Sequence, residues 1–391
     1  MISPEALARH YSRFRVTERI LLTGHSHQAW PDCGFKAQSR AWLDAAEHVD
    51  DVWEKAFNKA VDVRRGFARL LGDSPDQIAL ASNTHELVVR FLSALPLAKR
   101  RKLITTDAEF HTIRRQLDRL AEEGVEVVKV VALPTATLAE RLAVVVNDRT
   151  AAVLVSAVLY TNAHIVPNLA AVLTACQRVG AELLVDAYHA LNVIPFSLKD
   201  QGLEGAYVVG GGYKYCQLGG GNAFLRIPAD CALRPVVTGW FGEFTELAEP
   251  PAGGPVRYGP GAARFAGATY DPTSHYRAGA VFAFFEEQRL TAERLREVSQ
   301  HQVGLLASAF DALSANPAVI SRDRAVPLSA LGGFLALRTP HAARVSAALK
   351  ERGVWTDYRG DVLRLGPAPY LTDGQLTGAM AALGDALRRS L

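Results

Sequence analysis

The sequence is short of cysteine, of surplus charge and of long apolar runs. Its four cysteines, Cys33, Cys176, Cys216 and Cys231, lie scattered through 391 residues with no C-x-x-C pair. That spacing argues against a disulfide framework or a zinc ribbon and fits a reducing compartment. Lysine plus arginine number 43 against 40 aspartates plus glutamates, a formal charge of +3. So small a surplus does not suit a protein that binds phosphate backbones or anionic membranes, and neither is an expected partner. The basic cluster KRRK at 99–102 reads as a solvated connection. The opening MISPEALARHYSRFRVTER is charged and has no signal-like apolar core, and the longest apolar region is broken by Asn147, Asp148 and Arg149. A cytoplasmic protein that spans no membrane is therefore expected. Internal repeats, low-complexity tracts, the P-loop pattern and the G-x-G-x-x-G fingerprint are also missing, which removes support from nucleotide binding.

What is present is an ordinary globular composition, 49% hydrophobic and 21% charged, over a length that suits two or three domains. Between about 78 and 230, β-branched runs alternate with helical patterns: IALAS, KLITTD, VEVVKV, AAVLVSAV, AELLVD, AYVVGG and NAFLRI. Seven such strands predict an α/β domain built on a mostly parallel sheet. From 276 the pattern predicts one long helix, RAGAVFAFFEEQRLTAERLREVSQHQVGLLASAF, then a compact α+β unit. The expected division is a large domain at 23–275 and a small one from 1–22 and 276–391. The Pro/Gly-rich stretch at 249–272 reads as a linker or an ordered surface loop.

In such sheets ligands sit beyond the carboxyl ends of the strands. There, GGGYKYCQLGGG places Lys214 after a strand with glycines on both sides. A lysine at a crowded strand end can act as a Schiff-base amine once burial exposes its lone pair; it can equally be a surface residue. Asp186 ends the apolar strand before it, in VDAYH. A carboxylate there either holds the protonated pyridine nitrogen of pyridoxal 5′-phosphate or caps the next turn. Asn83 and Thr84 open an amphipathic helix, as a phosphate site or as a plain N-cap. Phe110 follows another strand and stacks on a planar cofactor or fills core.

In order, strand-NT, strand-EF, VLYT, VDAYH, YKY, GWFG and LRLGPAPYL resemble kynureninase, a fold type I pyridoxal-phosphate enzyme of the class V aminotransferase group, from about 20 to 390. The resemblance implies that fold, the cofactor and a homodimer with its active site at the subunit interface. It implies Lys214 as the cofactor lysine, Asp186 on the pyridine nitrogen, Phe110 on the ring and His189 beside it. Asn83, Thr84, Tyr213 and, from the second subunit, Trp240 and Thr269 would complete the cofactor site. Tyr213 is the candidate acid, and Arg364 would pair with the substrate α-carboxylate, a task suited to guanidinium geometry. The implied reaction cleaves the Cβ–Cγ bond of L-kynurenine or a related γ-keto amino acid, giving an aromatic acid and L-alanine. The alternative is a transaminase, epimerase or C–S lyase on another amino acid; a non-catalytic relic is disfavoured by the presence of both Lys214 and Asp186. The chain departs from the family on the substrate side. Gly24-His25-Ser26-His27-Gln28 replaces G-N-S-L-G, His111 stands where a shortened segment loses an aspartate, and Thr269 stands where an asparagine is usual. His25, Ser26, His27, His111 and Thr269 are thus expected at the substrate, with no metal, since H-x-H lacks an evident third ligand.

Overall fold

The computed structural model describes residues 2–246 and 254–390. After a two-residue strand β1 (Ile20–Leu21) come β2 (Ile78–Ala81), β3 (Lys102–Thr106), β4 (Glu126–Val130), β5 (Thr150–Ser156), β6 (Glu182–Asp186), β7 (Tyr207–Gly211) and β8 (Ala223–Arg226). These last seven form one sheet in the order β2-β8-β7-β6-β5-β3-β4. Only β8 runs against its neighbours; the others point one way. All seven anticipated strands are present, in one mostly parallel α/β sheet.

Both faces of this sheet are covered, so its central strands are apolar without alternation. Successive residues serve opposite cores: Val153, Val155, Leu183, Val185 and Val208 face one, and Ala152, Leu154, Leu184 and Val209 the other. The helices between strands cross over the faces and leave the carboxyl ends of β2, β3, β5, β6 and β7 along one rim. Residues 83–84, 109–110, 160, 186–189 and 213–214 follow those ends, and the β7–β8 connection carries the Gly-rich lysine segment.

The remaining strands, β9 (Leu335–Arg338), β10 (Val354–Trp355), β11 (Asp357–Arg359) and β12 (Val362–Leu365), belong to the C-terminal unit. An antiparallel sheet β11-β12-β9 and a β1–β10 pair pack with the helices Ala292–Ala312, Ala342–Glu351 and Asp373–Ser390. The N-terminal residues join this unit: Gln375 Nε2 donates to the Val16 carbonyl at 2.9 Å, and Tyr11 packs on Tyr370.

One sequence expectation needs correction. The single long helix from 276 is two, Thr273–Glu287 and Ala292–Ala312. Arg289 turns the chain at φ 53°, Leu290 is buried, and the Thr291 side chain caps the second helix by accepting from the Arg294 N–H. The domain boundary placed at 275/276 falls inside the first of these, which packs on the helices Asp32–His48 and Val52–Leu71 of the N-terminal half. Of the Pro/Gly-rich stretch, 249–253 lies outside the described residues. The part from 254 is an ordered segment, with Ala262 and Phe265 in the core and Arg264 donating to the Cys231 carbonyl at 2.7 Å.

Candidate active site

Lys214 is buried, and its ammonium would face aromatic rings instead of water. Nζ lies 3.0 Å from His189 Nε2, 4.5 Å from the Tyr188 ring centroid and 5.4 Å from that of Phe110. Burial pushes its pKa down to about 7, with Arg364 and Arg359 adding to the fall and Asp186 opposing it. Near neutrality much of this lysine is therefore free amine, the form that condenses with an aldehyde. Burial and then the Lys214 charge drive the His189 pKa down, so the imidazole is neutral and can accept from Nζ.

Asp186, at the end of β6, is partly buried and receives the Tyr188 N–H on Oδ1 at 2.9 Å. Burial raises its pKa, and the Tyr188 bond and Lys214 offset part of the rise. A cation beside it would restore its charge. Tyr213 stacks on His27 at 5.1 Å and packs on Tyr188 at 5.0 Å. Burial, then the Asp186 charge, raise its pKa, so its phenol keeps the proton that an acid needs. Phe110 meets Tyr160 edge-on at 5.3 Å, with exposed His111 beside both.

Asn83 is a genuine N-cap: Oδ1 accepts from the Glu86 N–H at 3.0 Å and Nδ2 donates to Glu86 Oε1. The other first-turn N–H groups of the helix Thr84–Ala94 open on the same rim, where they can meet an anion. Arg364 on β12 is only 2% exposed and reaches the rim from the C-terminal unit, donating from Nη1 to the Tyr160 carbonyl at 2.5 Å. His25 and His27 do not converge. His25 is fully buried against Phe334 at 4.6 Å, and burial holds its pKa down at about 4, whereas His27 lies on Tyr213. Ser26 donates to the Thr23 carbonyl and, with His27, lines a cavity of about 730 Å³ that also includes Trp355, Asp357 and Arg359.

Trp240 and Thr269 are not brought to Lys214 within the chain. Trp240 is 45% exposed and packs on Phe241 and Phe244; Thr269 is exposed. Two acidic groups went unassigned in the sequence. Glu109 is buried between strands, with Oε1 accepting from Thr106 Oγ1 at 2.7 Å and Oε2 from Ser156 Oγ at 2.5 Å. Burial lifts its pKa to about 7, and Asp186 adds to the rise. Asp357 holds Arg364 through Oδ1. A carboxylate directly before Phe110 was the available signal for the first; the second had only its place opposite Arg364 in a short hairpin. Among the described residues, Asp44, Glu47 and His48 are the one group of three with metal-ligand spacing, and Asp44 there is paired with Arg40 at 2.5 Å.

A desolvated amine, a carboxylate one strand away, an aromatic face and a helix N-terminus on one rim fit pyridoxal 5′-phosphate: aldehyde, pyridine nitrogen, ring and phosphate each have a counterpart. The comparisons agree with this geometry. Residues 295–383 match the family described as Kynureninase C-terminal domain. The chain is 25% identical over 348 residues to "Uncharacterized aminotransferase YcbU" of Bacillus subtilis, covering 87% of each. It is 27% identical over 359 residues to a kynureninase of Deinococcus radiodurans, covering 89% of this chain and 82% of that one. Among solved structures, the C-DES K223A mutant with glycine linked to its PLP cofactor superposes with a TM-score of 0.82 at 17% identity, over 96% of this chain and 98% of that one. A cysteine desulfurase of Thermococcus onnurineus does so at 0.81 and 16%, over 99% and 100%.

Proposed function

We propose that this kynureninase-like chain binds pyridoxal 5′-phosphate on Lys214 and hydrolyses the Cβ–Cγ bond of L-kynurenine or a related γ-keto amino acid, releasing an aromatic acid and L-alanine. The observation that carries it is the buried Lys214 amine beside His189, Phe110 and Asp186, with Arg364 brought to the same rim by the Tyr160 carbonyl. Bound there, the cofactor supplies an electron sink for charge developed at the substrate Cα. Lys214 would hold the cofactor and, as a free amine whose basicity burial sets near neutrality, would take the substrate α-proton. Asp186 would hold the protonated pyridine nitrogen, the fixed charge on which that sink depends. Arg364 orients the α-carboxylate, and Tyr213 delivers a proton from a phenol that stays protonated. Water would add to the γ-carbonyl, the Cβ–Cγ bond would break with its electron pair left on Cβ, and Cβ would take the proton that Tyr213 delivers, so that the aryl acid leaves and alanine remains.

The active unit in this proposal is a homodimer in the cytoplasm, with Trp240 and Thr269 of one subunit completing the other's site. Exposed Trp240 and Phe244 support it, as apolar groups that a partner would cover. No helix among the described residues is long and apolar enough to cross a membrane.

A second reading keeps the cofactor and ends in transamination, epimerisation or C–S lysis. It draws on His25, His27 and Thr269 where kynureninases carry other residues, and on the names of the relatives. A desulfurase is disfavoured, since the chain has no cysteine after Cys231 to act as a persulfide acceptor. Adding L-kynurenine to the cofactor-loaded protein separates the two: anthranilate fluorescence growing over many turnovers is expected. A visible band without anthranilate would leave the second reading in place.

A further inference from the structure

Arg364 already carries an anion. Asp357 stands directly opposite it in the β11–β12 hairpin, so strand register, not a flexible tether, sets the pair. Asp357 Oδ1 accepts from Arg364 Nε at 2.7 Å and from Nη2, while Nη1 donates to the Tyr160 carbonyl. Asp357 Oδ2 lies 3.1 Å from Arg359 Nη1, and His25 Nε2 lies 3.6 Å from Oδ1. Phe334 closes one side, 5.7 Å from the guanidinium carbon.

A guanidinium has five N–H donors. Asp357 takes the Nε hydrogen and one on Nη2, and Tyr160 takes one on Nη1. One hydrogen remains on each terminal nitrogen, which is the pair a carboxylate accepts in bidentate fashion. Asp357 therefore occupies the side edge of Arg364, so that a carboxylate would approach along its end. A guanidinium held at two edges has lost its rotational freedom before a ligand arrives, so binding costs less ordering entropy.

We propose that Asp357 is the positioning residue that aims Arg364 at the substrate carboxylate, an inference that rests on the amino-acid reading above. Its charge is secure: burial opposes it, but the neighbouring His25 and the Arg364 guanidinium hold its pKa down at about 2. Arg359, on the other oxygen, keeps the carboxylate from turning.

The test is equilibrium binding to the cofactor-loaded protein, read from the visible band, with L-alanine and with ethylamine, which lacks the carboxylate. For Asp357→Ala, L-alanine binding is expected to weaken about tenfold or more with ethylamine unchanged, the loss of charged hydrogen bonds that act only on the carboxylate. Asp357→Asn keeps an oxygen acceptor and should stay within about threefold of wild type, which also guards against a folding defect in the alanine variant. Unchanged L-alanine binding in Asp357→Ala, or an equal loss for both ligands, overturns the inference. Arg364→Ala separates the two levels. If it weakens L-alanine and Asp357→Ala does not, only the role of Asp357 fails; if Arg364→Ala has no effect, the carboxylate site itself is elsewhere and both fail.

Discussion

At the scale of single residues, the site works by withholding water from groups that would rather be charged. Lys214, His189, Asp186 and Glu109 are each driven toward their neutral forms, and burial is the largest cause in all four. Replacing Lys214 with Ala is expected to abolish the visible absorbance of the cofactor-loaded protein; an unchanged spectrum would remove Lys214 from its role. Glu109 gives a pH signature in the cofactor-free protein. Its folded pKa, about 7, lies above the unfolded value, so its contribution is full at low pH and disappears as pH rises through 7. Relative to Glu109→Gln, the wild type should lose roughly 3 kcal/mol between pH 5 and 8. Parallel thermal midpoints for the two proteins across that range would show that Glu109 ionises in the fold without penalty.

At the scale of elements, legibility follows from how each element is stabilised. The seven sheet strands were readable because strands buried on both faces must be apolar throughout, and β5 is buried at every position. The break between Thr273–Glu287 and Ala292–Ala312 was not, because no proline or glycine marks it; the turn sits on Arg289 and its only cue is the Thr291 cap. Within the site, Asp186 was legible as a residue that ends a strand, and Lys214 and Phe110 as residues that follow one. Glu109 and Asp357 were not, because their roles come from Ser156 and Arg364, which are 47 and 7 residues away in sequence. The packing of Thr273–Glu287 on Val52–Leu71 can be tested at Gly66, where an added Cβ would fall 2.2 Å from the Phe282 ring. Ala in place of Gly normally gains about 1 kcal/mol in a helix. Overpacking against a ring wedged on Phe67 costs about 1–3 kcal/mol and should prevail. A lower melting temperature for Gly66→Ala is expected, and a higher one would mean that the two helices move apart freely.

At the scale of the molecule, the question is where the active site ends. One chain assembles the lysine, the carboxylate, the stacking face and the arginine, yet Trp240 projects from a cluster with Phe241 and Phe244, away from Lys214's contacts. If Trp240 completes a neighbour's site, two inactive variants must rescue each other. In a dimer of Lys214→Ala with Trp240→Ala, one site lacks both residues. The other has Lys214 from one subunit and Trp240 from its partner. Random reassortment of equal amounts makes half the dimers mixed, with one intact site in two, so about a quarter of wild-type activity should return. Tryptophan acting within its own chain gives no such recovery, because every site in the mixture then lacks one residue. Returned activity after subunit exchange, and none before it, would assign Trp240 across the interface and make the dimer the unit of catalysis.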